Sequence, residues 1–197
     1  MTPNLPIPSI VLASASPRRQ ELLRSMNLDF AVVPSDATEL HTHDLTATEI
    51  CQLNAYRKAW AVARKHPDEL VLGADTLVYM GTKLYGKPAD RAEAQEMLSE
   101  LQGELHEVVT GVCLIHLKVH RQIIFSEVTR VKFRPLSKRQ ISDYLALINP
   151  LDKAGSYAIQ EHGGLIVENI QGSLSNVIGL PVERLQKELD AWVSSGG

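Results

Sequence analysis

The feature that most restricts this chain lies at its start. An apolar run, Ile7 to Ala13, leads directly into Ser14-Ala15-Ser16-Pro17-Arg18-Arg19. The run contains Ile10, Val11 and Leu12 and reads as a short buried strand. Ser16 is a natural N-cap, and Pro17 suits the first helical position. Leu22, Leu23 and Met26 then recur on one side, so a helix is expected to about Asn27. A strand must therefore pass through a tight turn into a helix N-terminus that carries two arginines. The partial positive charge of a helix start disfavours cations. An anion held by the free backbone N–H groups, the Ser14 and Ser16 hydroxyls and both guanidinium groups would resolve the conflict. A capped surface helix with solvated arginines is the other reading.

Beyond the turn, strands and helices are mixed without strict alternation. Phe30 to Val33 reads as a strand, Pro34 to Asp44 as a polar loop, and Thr46 to about His66 as a long helix. Leu70 to Met80 is strand-like and turns back at Gly81 to Lys83. Asp90 and Glu93 start a helix with Ala94, Met97, Leu98 and Leu101 inward, ended by Gly103. Val108 to Leu117 and Gln122 to Phe133 read as a hairpin, with Val131 and Phe133 alternating with Lys132 and Arg134. Ser137 and Gln140 cap a helix that turns Ile141, Tyr144, Leu145 and Ile148 inward and stops at Asn149-Pro150. Leu165 to Ile170 is a further strand. Pro181 opens a last helix with Val182, Leu185, Leu189 and Trp192 on one stripe. With no repeat, linker or low-complexity segment, the pattern predicts one compact α/β domain over residues 1–197. Its centre would be a mixed, elongated sheet flanked by helices.

Composition narrows the class. The 197 residues suffice for a core of ordinary size, and a net charge of −3 argues against a nucleic-acid binder. Cys51 and Cys113 stand in no metal-type spacing and read as buried thiols of a reducing compartment. No apolar run reaches the length of a membrane span, and the first residues lack the features of a signal peptide. A cytoplasmic protein with no membrane partner is expected. His41 and His43 beside Asp44 read as a solvated loop, because no further ligand has suitable spacing.

Other residues bear on chemistry. Asp75, in Gly73-Ala74-Asp75-Thr76, is a carboxylate within a strand. It could deprotonate a water, hold a divalent ion, or cap a loop. Lys58 would project between Cys51, Ala55, Ala59 and Val62. A lysine inside an apolar stripe either snorkels to water or meets a buried anion. Gln160 carries an amide side chain that can donate and accept at once.

Five blocks in order resemble the Maf family of nucleoside-triphosphate pyrophosphatases, which are related in fold to the inosine-triphosphate pyrophosphatases. The first two are Leu12 to Arg19 with Glu21-Leu22-Leu23, and Gly73 to Thr76, while Asn54 to Ala59 is similar to a further segment of that family. Tyr85-Gly86-Lys87-Pro88 and Asp152 to Gln160 follow, and Gly172-Ser173 with Asn176 to Pro181 resembles the family's last block. The resemblance implies that Asp75 is the proton acceptor. Ser14, Ser16, Arg18, Arg19, Lys58 and Lys87 would grip the triphosphate, and Arg18, Thr76 and Gln160 mark the branch acting on dTTP and UTP. Asp75 and Glu39 would hold Mg²⁺ or Mn²⁺. Glu39 follows Ala37-Thr38 where the family usually has Val-Asp, and a solvated loop glutamate is its other reading. The family also implies a homodimer.

The implied reaction cleaves between the α and β phosphates of dTTP, UTP or modified pyrimidine analogues, giving monophosphate and pyrophosphate. A nucleotide-binding regulator of septum formation is the alternative; it would have no need of Asp75. The absence of a Gly-x-x-x-x-Gly-Lys-Ser/Thr loop argues against a P-loop kinase.

Overall fold

A computed structural model of the protein describes residues 9–42 and 44–194; Ile7 of the expected first strand, His43 and the tail from Ser195 lie outside them. The strands are β1 (Ile10–Leu12), β2 (Phe30–Val32), β3 (Leu70–Met80), β4 (Lys83–Tyr85), β5 (Leu105–His116), β6 (Arg121–Phe133) and β7 (Val167–Gln171). The helices are α1 (Pro17–Ser25), α2 (Ala47–Ala63), α3 (Arg91–Leu101), α4 (Lys138–Leu147), α5 (Leu174–Ile178) and α6 (Val182–Ser194). The strands form one sheet in the order β2-β1-β3-β5-β6-β7, with β4 paired to β3 off that path. β1 runs parallel to β2 and β3, whereas β4 and β7 pair antiparallel with β3 and β6. The sheet is therefore mixed, as the irregular alternation of elements predicts. Among the described residues no helix is long and apolar enough to cross a membrane.

The chain forms two compact units. One comprises the described residues of Met1–Asp75, Thr110–Glu127 and Gly179–Gly197; the other comprises Thr76–Val109 and Val128–Ile178. In the first unit, Ile10 and Leu12 pack with Leu23 of α1 and with Leu185, Leu189 and Trp192 of α6. Val11 and Ala13 pack with Ala55, Ala59 and Val62 of α2. Both faces of β1 are covered, which is why its sequence is an unbroken apolar run.

Helix α2 lies close against its strands. A β-carbon at Gly73 would clash with the Ala55 carbonyl and stand 2.7 Å from the Ala59 nitrogen; one at Gly111 would stand 2.5 Å from the Gln52 nitrogen. Only glycine permits this approach at either position. Thr46 and Glu49 form a capping box that starts α2.

The core of the second unit gathers Tyr85, Leu98, Leu101, Val131, Phe133, Ile141, Tyr144 and Tyr157, among others. Ser137 and Gln140 make the expected capping box on α4, and Asp90 caps α3. His106 of β5 is buried in this core, with Nε2 3.0 Å from the Tyr157 hydroxyl and its ring edge-on to Phe133. Burial pushes the His106 imidazole down to about 4.

Two short elements have no counterpart in the sequence reading. β4 has three residues and α5 five, too few to show a period. β7 begins at Val167 rather than Leu165, because Gly163–Leu165 forms a 3₁₀ turn.

Gly73→Ala is expected to lower stability by about 3 kcal/mol, since a whole helix must shift to admit the methyl group. An unchanged urea midpoint would show that α2 yields freely. His106 gives a pH signature of defined sign. Its folded pKa lies below the ordinary value of 6.5, so between the two the unfolded chain binds the extra proton. Its contribution is complete above about pH 6.5 and is lost as pH falls toward 4, by at most about 1.4 kcal/mol per pH unit. Urea titrations at stepped pH should show this slope in the wild type and its loss in His106→Leu.

Candidate active site

The Ser14 to Arg19 turn is built largely from its own side chains. Ala13 N–H still donates to Leu72 O at 2.8 Å, so the chain leaves the sheet only after that residue. Ser14 is buried, and its Oγ accepts from the Ser16 backbone N–H at 3.3 Å and from Arg19 Nη1 at 3.2 Å. Ser16 caps α1 by accepting from Arg19 N–H at 3.5 Å, with Pro17 next, as expected. Arg19 Nε donates to the Gly179 carbonyl at 2.9 Å. Arg19 thus ties the turn to the segment entering α6. Burial pushes its guanidinium pKa down; Asp75 and Glu39 hold it up, and Arg18 adds to the lowering. No acidic residue stands in the first turn of α1.

Asp75 closes the first unit. It is 5% exposed, and each of its carboxylate oxygens has a partner. Oδ1 accepts from Lys58 Nζ at 2.7 Å, and Oδ2 accepts from Asn54 Nδ2 at 2.9 Å. Lys58 Nζ also donates to Glu39 Oε1 at 2.6 Å. The lysine does sit in an apolar stripe, among buried Cys51, Ala55, Ala59 and Val62. The anions it meets here are two carboxylates of its own chain. Leu53 and Trp60, on the other side of α2, are exposed.

Asn54 is the site residue that the sequence reading missed. Its Oδ1 accepts from Leu40 N–H at 2.7 Å and its Nδ2 donates to Leu40 O at 3.2 Å. It therefore fastens the loop bearing Glu39 to Asp75. One signal was available: Asn54 and Lys58 are four residues apart, hence on one face of α2, and both interrupt an apolar stripe.

The donor set suits a hard divalent cation. Oxygens of Glu39 and Asp75 lie within 2.7 Å of a single point, the one taken by Lys58 Nζ. Two carboxylates are what Mg²⁺ or Mn²⁺ commonly takes from a protein when phosphate oxygens and water complete the shell. Among the described residues no group of three or more His, Cys, Asp or Glu side chains could hold a metal. His41 stands 3.9 Å from Glu39 on the exposed loop.

Thr76 follows Asp75 on β3 and is half-buried; it belongs to the second unit, as do Lys87 and Gln160, both exposed. The turn carrying Lys87 is tied by Gly155 N–H, which donates to Gly86 O at 3.0 Å. Gly155 has φ +68°, and a β-carbon there would press on Val78 at 3.2 Å. This bond joins two of the motif blocks, Tyr85 to Pro88 and Asp152 to Gln160.

The family described as Maf-like protein matches residues 9–192. A dTTP/UTP pyrophosphatase of Akkermansia muciniphila is 44% identical over 185 residues, covering 93% of this chain and 96% of that protein. One of Acetivibrio thermocellus is 46% identical over 183 residues, covering 89% and 91%. Among solved structures, a HAM1 protein from Coxiella burnetii is 20% identical with a TM-score of 0.49, covering 93% of this chain and 98% of that one.

Lys58→Met should cost about 3–5 kcal/mol, because it removes the cation that Asp75 and Glu39 share and leaves a nearly buried carboxylate without it. Urea unfolding checks this, and a variant as stable as the wild type would mean that the carboxylates do not depend on Lys58.

Proposed function

This chain belongs to the Maf family, and from that membership and the setting of Asp75 we propose that it hydrolyses dTTP and UTP. The products are the nucleoside monophosphate and pyrophosphate. The observation that carries the residue assignment is a nearly buried carboxylate, Asp75, held at both oxygens by Lys58 and Asn54. The Ser14 to Arg19 turn lies in the same unit.

In this reading the turn and its serines bind the triphosphate through N–H and O–H donors. Arg18, Arg19, Lys58 and Lys87 supply positive charge. A water oxygen attacks phosphorus and the bridge between the α and β phosphates breaks. The water proton passes to the Asp75 carboxylate, and pyrophosphate departs. Positioning and charge neutralisation by these residues account for most of the rate, as phosphoryl chemistry generally requires. Asp75 and Glu39 would hold a divalent cation, Mg²⁺ or Mn²⁺, which when bound supplies further positive charge to the phosphate oxygens. Lys58 would then exchange its two carboxylates for the triphosphate.

Base choice falls to Arg18, Thr76 and Gln160. A side-chain amide matches the adjacent donor and acceptor of uracil or thymine. The buried thiols of Cys51 and Cys113, which form no disulfide, suit the cytoplasm, where we place the activity.

The decisive assay incubates the purified protein with each nucleoside triphosphate and Mg²⁺ or Mn²⁺ and separates the products. Monophosphate with pyrophosphate is expected from dTTP and UTP; diphosphate with phosphate, or no turnover, would refute the reaction. Asp75→Asn is expected to lower kcat by about 10²- to 10⁴-fold, the range for loss of a general base, with nucleotide binding largely kept. Full activity in that variant would remove Asp75 from the chemistry.

A further inference from the structure

We propose that Tyr144 is a positioning residue for base selection, its hydroxyl fixing the turn that presents Gln160. The inference rests on Gln160 as the base-reading residue, and it concerns what holds that residue in place.

Tyr144 projects from α4 into the core of the second unit and is 1% exposed. Its hydroxyl donates to Ala158 O at 3.2 Å and accepts from Ala158 N–H at 3.1 Å. One phenol thus holds both backbone groups of one residue. Ala158 O also accepts from Glu161 N–H at 3.2 Å, closing a four-residue turn. Gln160 is the third residue of that turn and is exposed. The segment is held on either side as well. Tyr157 Oη stands 3.0 Å from His106 Nε2, and Lys153 Nζ stands 3.4 Å from Glu161 Oε1.

Packing alone does not call for the hydroxyl. The Tyr144 ring lies among Leu98, Leu101, Phe133 and Ile141, where phenylalanine would fill the same space without a polar atom to desolvate. Burial raises the phenol pKa to about 12, so it stays protonated and able to donate. Without Oη, Ala158 N–H would be left buried and unpaired. The turn would be closed by the Glu161 bond alone, and the Gln160 amide would be presented in several orientations.

The test compares Tyr144→Phe with Gln160→Ala, singly and together, on UTP, dTTP and CTP. Tyr144→Phe is expected to raise KM for UTP and dTTP about tenfold and to reduce the preference for UTP over CTP, with kcat within about twofold. In the Gln160→Ala background the same change should have almost no further effect on KM. Additive losses, or a fall in kcat with KM and preference unchanged, would reduce Tyr144 to a structural role. Wild-type KM and preference in Tyr144→Phe, with preference lost in Gln160→Ala, overturns the inference and leaves the reading of Gln160 standing. Unchanged preference in Gln160→Ala overturns that reading itself. If Tyr144→Phe does not fold, the wild type decides by amide exchange. Slowed exchange at Ala158 supports the clamp, and exchange at the rate of an unprotected amide overturns it.

Discussion

The close approach of α2 to the sheet is the constraint on which the rest of the site depends. Gly73 on β3 and Gly111 on β5 leave room for the helix backbone itself where any side chain would intrude. That approach makes Asn54 and Lys58 long enough to reach Asp75. It also explains why the stripe of α2 facing the strands is rich in small residues, Ala55, Ala59 and Ala63. A bulkier helix face would stand farther off and leave Asp75 buried without a partner, at the full desolvation cost of a carboxylate.

The charges around Asp75 form one linked set. Lys58 is shared between Asp75 and Glu39, and Arg19 is desolvated yet held up by the same two carboxylates. Arg19 also serves the architecture, since its bonds to Ser14 and to the Gly179 carbonyl join the first turn to the start of the last helix. Replacing either cation therefore disturbs shape and charge together. The second unit works by another principle. The segment bearing Gln160 is held by hydrogen bonds with buried aromatic residues, Tyr144 to Ala158 and His106 to Tyr157, while Gln160 stays exposed.

Most secondary structure was legible in the sequence, and the reasons are local. Thr46 with Glu49 and Ser137 with Gln140 cap their helices through bonds spanning three residues, so the signal lies within one short window. The stripe of Leu185, Leu189 and Trp192 on α6 and the alternation of Val131, Lys132 and Phe133 on β6 are likewise short-range patterns. β4, α5 and the 3₁₀ turn before β7 escaped because three to five residues cannot establish a period. Of the site, the Ser16 cap, Asp75 on its strand and the inward Lys58 were readable from motif or stripe.

What the sequence determined by itself was the set of elements, the motif blocks and the residue types available for phosphate and base chemistry. Propensity, capping and periodicity act within a few residues, and the blocks could be matched in order. Only the tertiary structure decided that Lys58 faces two carboxylates of its own chain, that Asn54 joins the Glu39 loop to Asp75, and that Tyr144 holds the turn bearing Gln160. Most of these contacts join residues far apart along the chain, and all of them depend on how closely two elements pack. Local sequence pattern does not record that distance; for α2 and Asp75 it was set by the absence of a side chain at two glycines.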